Sequence, residues 1–217
     1  MFLLNHHLLF PDVENADDDG LLAVGGDLSP ERLLLAYRNG IFPWFNEDSM
    51  ILWWSPDPRM VLFPNNIRIS KSMQQLIKSN RFRVTWNTSF EEVIEACSAI
   101  KRKGQEGTWI TPKMKNAYIK LHQMGRAKSV EVWENELLVG GLYGIDLGGI
   151  FCGESMFSKK SNASKLAFIH LALELQQQKY KLIDCQVYTA HLHSLGAEKM
   201  PRKQFMKILK TSVAQRF

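Results

Sequence analysis

The sequence predicts an α+β protein in two parts: a small N-terminal α+β domain, residues 1–64, and a larger C-terminal domain, residues 65–217, built on a mixed sheet flanked by helices. Three observations carry this. The 217 residues are 45% apolar, enough to bury one large or two small cores. A Pro-rich segment, SPDPRMVLFPNN, interrupts the pattern near residue 65. Beyond it, stretches with helix and strand periods alternate and end in the order strand, strand, strand, helix, strand.

The first part holds one clear helix, with Ser29 as N-cap, Pro30 at the first helical position and Gly40 as its stop. GLLAVGGDLSP and GIFPWF around it read as ordered loops, and ILWW reads as a strand. In the second part Ser70 caps a short helix, Phe82, Val84 and Trp86 alternate as a strand, and Ser89 with Glu92 forms a capping box for the next helix. KRKGQEG is a loop, and Thr111-Pro112 opens a helix that stops at Gly125. Strands follow at 129–133, 137–145 and 150–157, then a helix at 162–178, a strand at 181–187 and a last helix from Pro201. This order of elements is that of an acyltransferase core of the acetyltransferase (GNAT) type.

Charge is divided along the chain. Residues 1–67 hold ten acids against three bases, and the rest holds twelve acids against twenty-four bases. A basic excess of this size suits a polyanionic partner, as it suits a merely soluble surface. Eight bases stand at 68–103, namely Arg68, Lys71, Lys78, Arg81, Arg83, Lys101, Arg102 and Lys103, and form a candidate RNA-backbone surface. No apolar run reaches the roughly 18 residues of a membrane span, and Leu8-Leu9-Phe10 is cut by Pro11, so a cytoplasmic protein is expected. Cys97, Cys152 and Cys185 show no C-x-x-C pairing and the six histidines show no metal spacing, so neither a disulfide nor a metal is assigned. G-x-S-x-G is absent, as is any Cys-His arrangement, which argues against covalent catalysis.

Two strands carry acids among apolar residues. In FCGESMFS, period 2 puts Cys152, Glu154 and Met156 on one face and Phe151, Gly153, Ser155 and Phe157 on the other, so a bulge near Gly153 is one way for both faces to reach one cavity. In LIDCQV it puts Asp184 and Gln186 together. Two acids and an amide on apolar strands either bind a cation and handle a proton or are structural partners of Arg and Lys; the residues leave both open. An acyl pocket would draw on Trp44, Trp53, Trp54, Trp109, Tyr143, Phe151, Met156 and Phe168, each of which serves equally as core.

NGIFPWF, ILWWSPDPRMVLFP, EGTWIT, SVEVW, LVGGLYG, IFCGESMFS, NASK, LIDCQV and HSLGA, in this order and spacing, resemble the bacterial leucyl/phenylalanyl-tRNA-protein transferase family across residues 20–200. The resemblance implies an enzyme without metal or cofactor that moves Leu or Phe, and less readily Met, from aminoacyl-tRNA to proteins beginning with Lys or Arg. Such products enter N-degron proteolysis. It implies a catalytic acid at Asp184, a relay amide at Gln186 and an acceptor-binding carboxylate at Glu154. Its aromatic pocket falls on Trp44, Trp109 and Phe151, with Leu142, Phe168 and Leu171 as further walls. The chain departs from the family pattern at Leu142, where GGMYG has Met, at Thr189, where Asn is expected, and at Phe168 and Leu171, which exchange a bulky and a branched residue. Contacts from the longer C-terminal tail of some relatives find no matching residues here. A glycine turn between strand and helix would hold a CoA pyrophosphate, but SKKSNAS, residues 158–164, has no glycine, which counts against an acyl-CoA-dependent N-acetyltransferase. A non-catalytic RNA-binding module would leave the paired acids unexplained. A monomer is expected.

Overall fold

A computed structural model of the chain describes residues 2–100 and 108–213. Lys101, Arg102 and Lys103 of the expected basic surface lie outside the described residues.

The N-terminal part comprises β1 (Phe2–Leu4), β2 (Leu21–Gly25), α1 (Pro30–Arg38), β3 (Phe42–Pro43) and β4 (Leu52–Trp54). Its strands form a sheet in the order β1-β2-β4-β3. The stretch expected to be a loop, LLAVG, is therefore an inner strand, and Leu22 and Ala23 are fully buried. The flanking glycines mask an apolar run just long enough for a strand. α1 starts as its sequence demands: the Ser29 hydroxyl accepts from the Arg32 backbone N–H, and Pro30 occupies the first turn.

The second part runs β5 (Arg59–Leu62), α2 (Lys71–Lys78), β6 (Arg83–Trp86), α3 (Phe90–Ala99), α4 (Pro112–Gln123), β7 (Ala127–Glu134), β8 (Leu137–Asp146), β9 (Ile150–Ser158), α5 (Ala163–Gln177), β10 (Leu182–Gln186), α6 (Ala190–Ser194), β11 (Glu198–Met200) and α7 (Arg202–Val213). Ser70 and Thr111 cap α2 and α4 as expected, whereas Ser89 makes no side-chain cap bond, so its capping box does not form. The sheet order is β11-β5-β10-β9-β8-β7-β6, mixed, with β9 and β10 parallel and the other neighbours antiparallel. β5 lies before residue 64 yet pairs inside this second sheet.

Apolar side chains gather in two clusters. One joins Leu33, Tyr37 and Trp53 of the N-terminal part to Tyr118 of α4, Cys152 and Phe157 of β9 and Phe205 of α7. The other packs α5 on the sheet through residues such as Leu166, Ile169, Phe151 and Ile183. The parity of β9 slips between them: Phe151 and Met156 belong with the second cluster, Cys152 and Phe157 with the first. A bulge causes the slip. Tyr143 pairs with Ser155 and Gly144 with Gly153, which leaves Glu154 as the extra residue. The expectation of strict alternation through Met156 is corrected accordingly.

A second irregularity sits on β10, where Asp184 pairs with Val61 and Gln186 with Met60, so Cys185 is extra, and Gln186 takes the left-handed φ of 62°. Pairing of β9 with β10 ends at Cys152 and Asp184. Beyond these residues the two parallel strands part.

Gly144 permits the first bulge. A Cβ there would lie 2.2 Å from the Cys152 carbonyl oxygen, within a contact no backbone tolerates. Gly144→Ala is therefore expected to destabilise the protein by about 1–3 kcal/mol, the usual range for overpacking, as measured by urea unfolding.

Candidate active site

Where β9 and β10 part there is a cavity of about 360 Å³. Trp109, Leu142, Met156, Phe168 and Leu171 give it apolar walls, and Trp44, 42% exposed, stands among them as the most open. Leu142, Phe168 and Leu171 belong to the cluster under α5, while Trp109 belongs to the other, so residues from both sides of the sheet reach one space through the gap. Side chains of opposite parity can share a pocket only because the strands no longer pair there.

Two polar side chains from the bulges line this cavity, Glu154 and Gln186. Gln186 Nε2 donates to Glu154 Oε1 at 2.7 Å, and Tyr118 donates its hydroxyl to Glu154 Oε2 at 2.9 Å. Behind Tyr118 lies the Tyr37 hydroxyl, hydrogen-bonded to it, which ties α1 and α4 to the carboxylate. Burial pushes the Glu154 carboxyl up from 4.5 to about 7, against the opposing pull of these hydrogen bonds. The raised value has a stability consequence. Between about pH 4.5 and 7 the folded protein holds a proton that the unfolded chain releases, so stability falls as pH rises through that window. Glu154→Gln is expected to flatten this slope and to gain stability at pH 8, by ~3 kcal/mol at most; thermal unfolding of both proteins from pH 5 to 8 checks it.

Asp184 does not reach the cavity. It is 1% exposed and takes a two-pronged ion pair from Arg59, Nε to Oδ1 at 2.8 Å and Nη2 to Oδ2 at 2.7 Å. Its Oδ1 also accepts the Gln186 backbone N–H at 2.9 Å. Arg59 is itself buried between the rings of Phe42 and Phe205. Both oxygens of the residue expected as the catalytic acid are thus engaged, and one of them supports the left-handed turn that carries Gln186.

Phe151, expected as a pocket wall, lies outside this cavity. It is 2% exposed, its ring sits against Gly144, and it does not line the cavity. Trp53 is core and donates its indole N–H to the Gly25 carbonyl, and Trp54 likewise donates to the Trp44 carbonyl. Trp44, Trp109, Leu142, Phe168 and Leu171 do line it, together with Tyr143 and Met156. Cys185 also borders the cavity, but burial raises its thiol far above the ordinary value, so it is no ready nucleophile.

Arg68, Lys71, Lys78, Arg81 and Arg83 are all exposed, on or beside α2 and β6. Arg81 pairs with Glu134 at 2.7 Å and Arg83 approaches Glu136 at 3.8 Å. Among the described residues no group of His, Cys, Asp and Glu could hold a metal ion, and no helix is long and apolar enough to cross a membrane.

Tyr118, Tyr37 and Arg59 escaped the sequence reading. A tyrosine on the buried face of a helix needs a partner for its hydroxyl, and an arginine opening the apolar run RMVL needs an anion. Those two signals were present in the sequence.

Residues 61–210 match the family described as Leucyl/phenylalanyl-tRNA protein transferase, and residues 26–57 match the N-terminal domain of the same family. The chain is 62% identical over 211 residues to the leucyl/phenylalanyl-tRNA–protein transferase of Flavobacterium johnsoniae, covering 97% of this chain and 100% of that protein. It is 59% identical to the protein of that name from Christiangramia forsetii, over 96% of this chain and 100% of that one. A solved structure, a GCN5-related N-acetyltransferase from Kribbella flavida, superposes with a TM-score of 0.39 at 8% identity, over 77% of this chain and 60% of its own.

Proposed function

The chain belongs to the leucyl/phenylalanyl-tRNA-protein transferase family, and from that premise we propose that it transfers Leu or Phe, and less readily Met, from aminoacyl-tRNA to the α-amine of proteins beginning with Lys or Arg. The products would enter N-degron proteolysis, and the enzyme would act as a cytoplasmic monomer. The observation that carries the reading is the composition of the cavity: apolar walls for the transferred side chain, and one carboxylate, Glu154, for a cationic acceptor.

The aminoacyl ester is already activated, and an α-amine with a pKa near 8 is about one tenth neutral at pH 7. Alignment is then the main task, and it lowers the barrier by several kcal/mol without a covalent enzyme intermediate. In our reading the amine forms its bond to the ester carbonyl while the bond to the ribose oxygen breaks, and the amine proton leaves on that oxygen. Gln186, held by Asp184 and Arg59, orients the amine through its amide oxygen. Glu154 holds the Lys or Arg side chain, whose charge draws the carboxyl to its ionised form. Leu and Phe are preferred over Val and Ile through pocket depth and crowding at a branched Cβ near Trp109 and Leu142, a discrimination of about 1–3 kcal/mol per methylene.

Arg68, Lys71, Lys78, Arg81 and Arg83 are assigned to RNA phosphates. With about four phosphate contacts, raising monovalent salt from 50 to 200 mM is expected to weaken donor binding by on the order of 10²-fold, read as the KM for Leu-tRNA. Incubation with labelled Leu-tRNA, labelled acetyl-CoA and an Arg-starting peptide tests the function itself. Label passing to the peptide from the tRNA supports it; label from acetyl-CoA, or from neither, overturns it.

A further inference from the structure

A second cavity, of about 250 Å³, opens on the α5 side of the sheet at its β6 edge. Phe82, just before β6, and Val84 and Trp86 of β6 form one wall, Leu76 and Ile77 of α2 another, and Leu166 and His170 of α5 a third. Asn80, whose φ is 51°, adds its amide where α2 turns into β6. None of these residues has a part in the transfer site. The cavity is smaller than the roughly 300–1,000 Å³ of drug-sized sites and suits one flat ring system.

We propose that this cavity holds an unpaired nucleobase of the RNA donor, from the single-stranded segment next to its 3′-terminal nucleotide. The inference rests on the transferase reading above and deepens it. Single-stranded bases are bound by stacking on aromatic side chains and by hydrogen bonds to their edges. Phe82 and Trp86 supply the first, and the Asn80 amide and the His170 imidazole supply the second. Burial lowers the pKa of His170, so the imidazole is neutral at pH 7 and can both donate and accept.

Charge and continuity favour RNA over an apolar side chain. Lys78 ends α2 beside the cavity. Lys165 precedes Leu166 on α5, and its charge adds to burial, the larger cause, in lowering the pKa of His191 on the wall of the first cavity. Lys165 thus neighbours a wall residue of each cavity, which suits a phosphate linking the terminal nucleotide to its neighbours. α5 itself serves both, with Phe168 and Leu171 in the first and Leu166 and His170 in the second.

The test compares two donors, Leu-tRNA and leucyl-adenosine, which lacks every other nucleotide. Trp86→Ala and, as a milder change that keeps the backbone turn, Asn80→Gly are assayed with wild type, after thermal unfolding has confirmed that each is folded. The expected result is a KM for Leu-tRNA raised about tenfold by Trp86→Ala and about threefold by Asn80→Gly, with kcat unchanged and the KM for leucyl-adenosine unchanged. Equal parameters on Leu-tRNA for both variants and wild type would overturn the inference while leaving the transferase reading intact. A rise in KM of equal size on both donors would also overturn it, because the effect would then be on the transfer site. If wild type transfers from neither donor, the transferase reading falls and the nucleobase site falls with it.

Discussion

Glu154→Gln is expected to lower kcat/KM for an Arg-starting acceptor by ~10²-fold, about 3 kcal/mol, the scale on which truncating one partner of a desolvated charge pair is felt. The substitution keeps the shape of the side chain and an oxygen for Tyr118 or Gln186, so the cavity should survive it. What it removes is the charge. An acceptor beginning with norleucine should be poor with the wild-type enzyme and almost unchanged with the variant, because it never met that charge. The loss should fall mainly on acceptor KM and leave the KM for Leu-tRNA in place. Steady-state assays with both acceptors check this. Equal losses on the cationic and the neutral acceptor would mean that Glu154 serves the chemistry rather than the choice of acceptor.

Arg59→Met is expected to destabilise the fold by about 3–5 kcal/mol, because it leaves the Asp184 carboxylate buried without its partner. For a chain of this length that is a fall of roughly 6–20 °C in Tm. Arg59→Met with Asp184→Leu should recover much of the loss, since an apolar pair of similar volume is often as stable as a buried ion pair. Activity should not return with it. Without the Asp184 oxygen that accepts its backbone N–H, Gln186 loses the support for its left-handed turn, and kcat should stay at least tenfold down. Calorimetry and single-turnover transfer on the three proteins separate the two effects. A double variant as active as wild type would show that the pair contributes stability alone.

Much of the fold was legible because its helices carry their own stop and start signals. Ser29-Pro30, Ser70 and Thr111-Pro112 each mark a helix that forms, and the run from Ala127 to Ser158 alternates clearly enough to show three strands. β2 was hidden by its glycines, and β5 by the prolines on either side of it. The site was legible in part. Glu154 and Gln186 stand out as polar residues in apolar strands, and both do line the cavity. Asp184 stands out for the same reason, yet it answers to Arg59, 125 positions earlier, and no local pattern reports so distant a partner. Strict period 2 misplaced Met156, and the bulge that shifts it lies next to Gly153, where the need to bring both faces to one cavity points. The resemblance to a family named the pocket residues, but only the parting of β9 from β10 explains how side chains from both faces of a sheet reach one space.

The most direct test of that account is a crystal structure of the protein with a non-hydrolysable phenylalanyl-adenosine amide. The account predicts the phenylalanyl ring between Trp109, Leu142, Met156 and Phe168, with its carbonyl carbon beside the Gln186 amide and Glu154 left open for the acceptor. A ring bound outside the gap between β9 and β10, or a donor amine seated on Glu154, would contradict it.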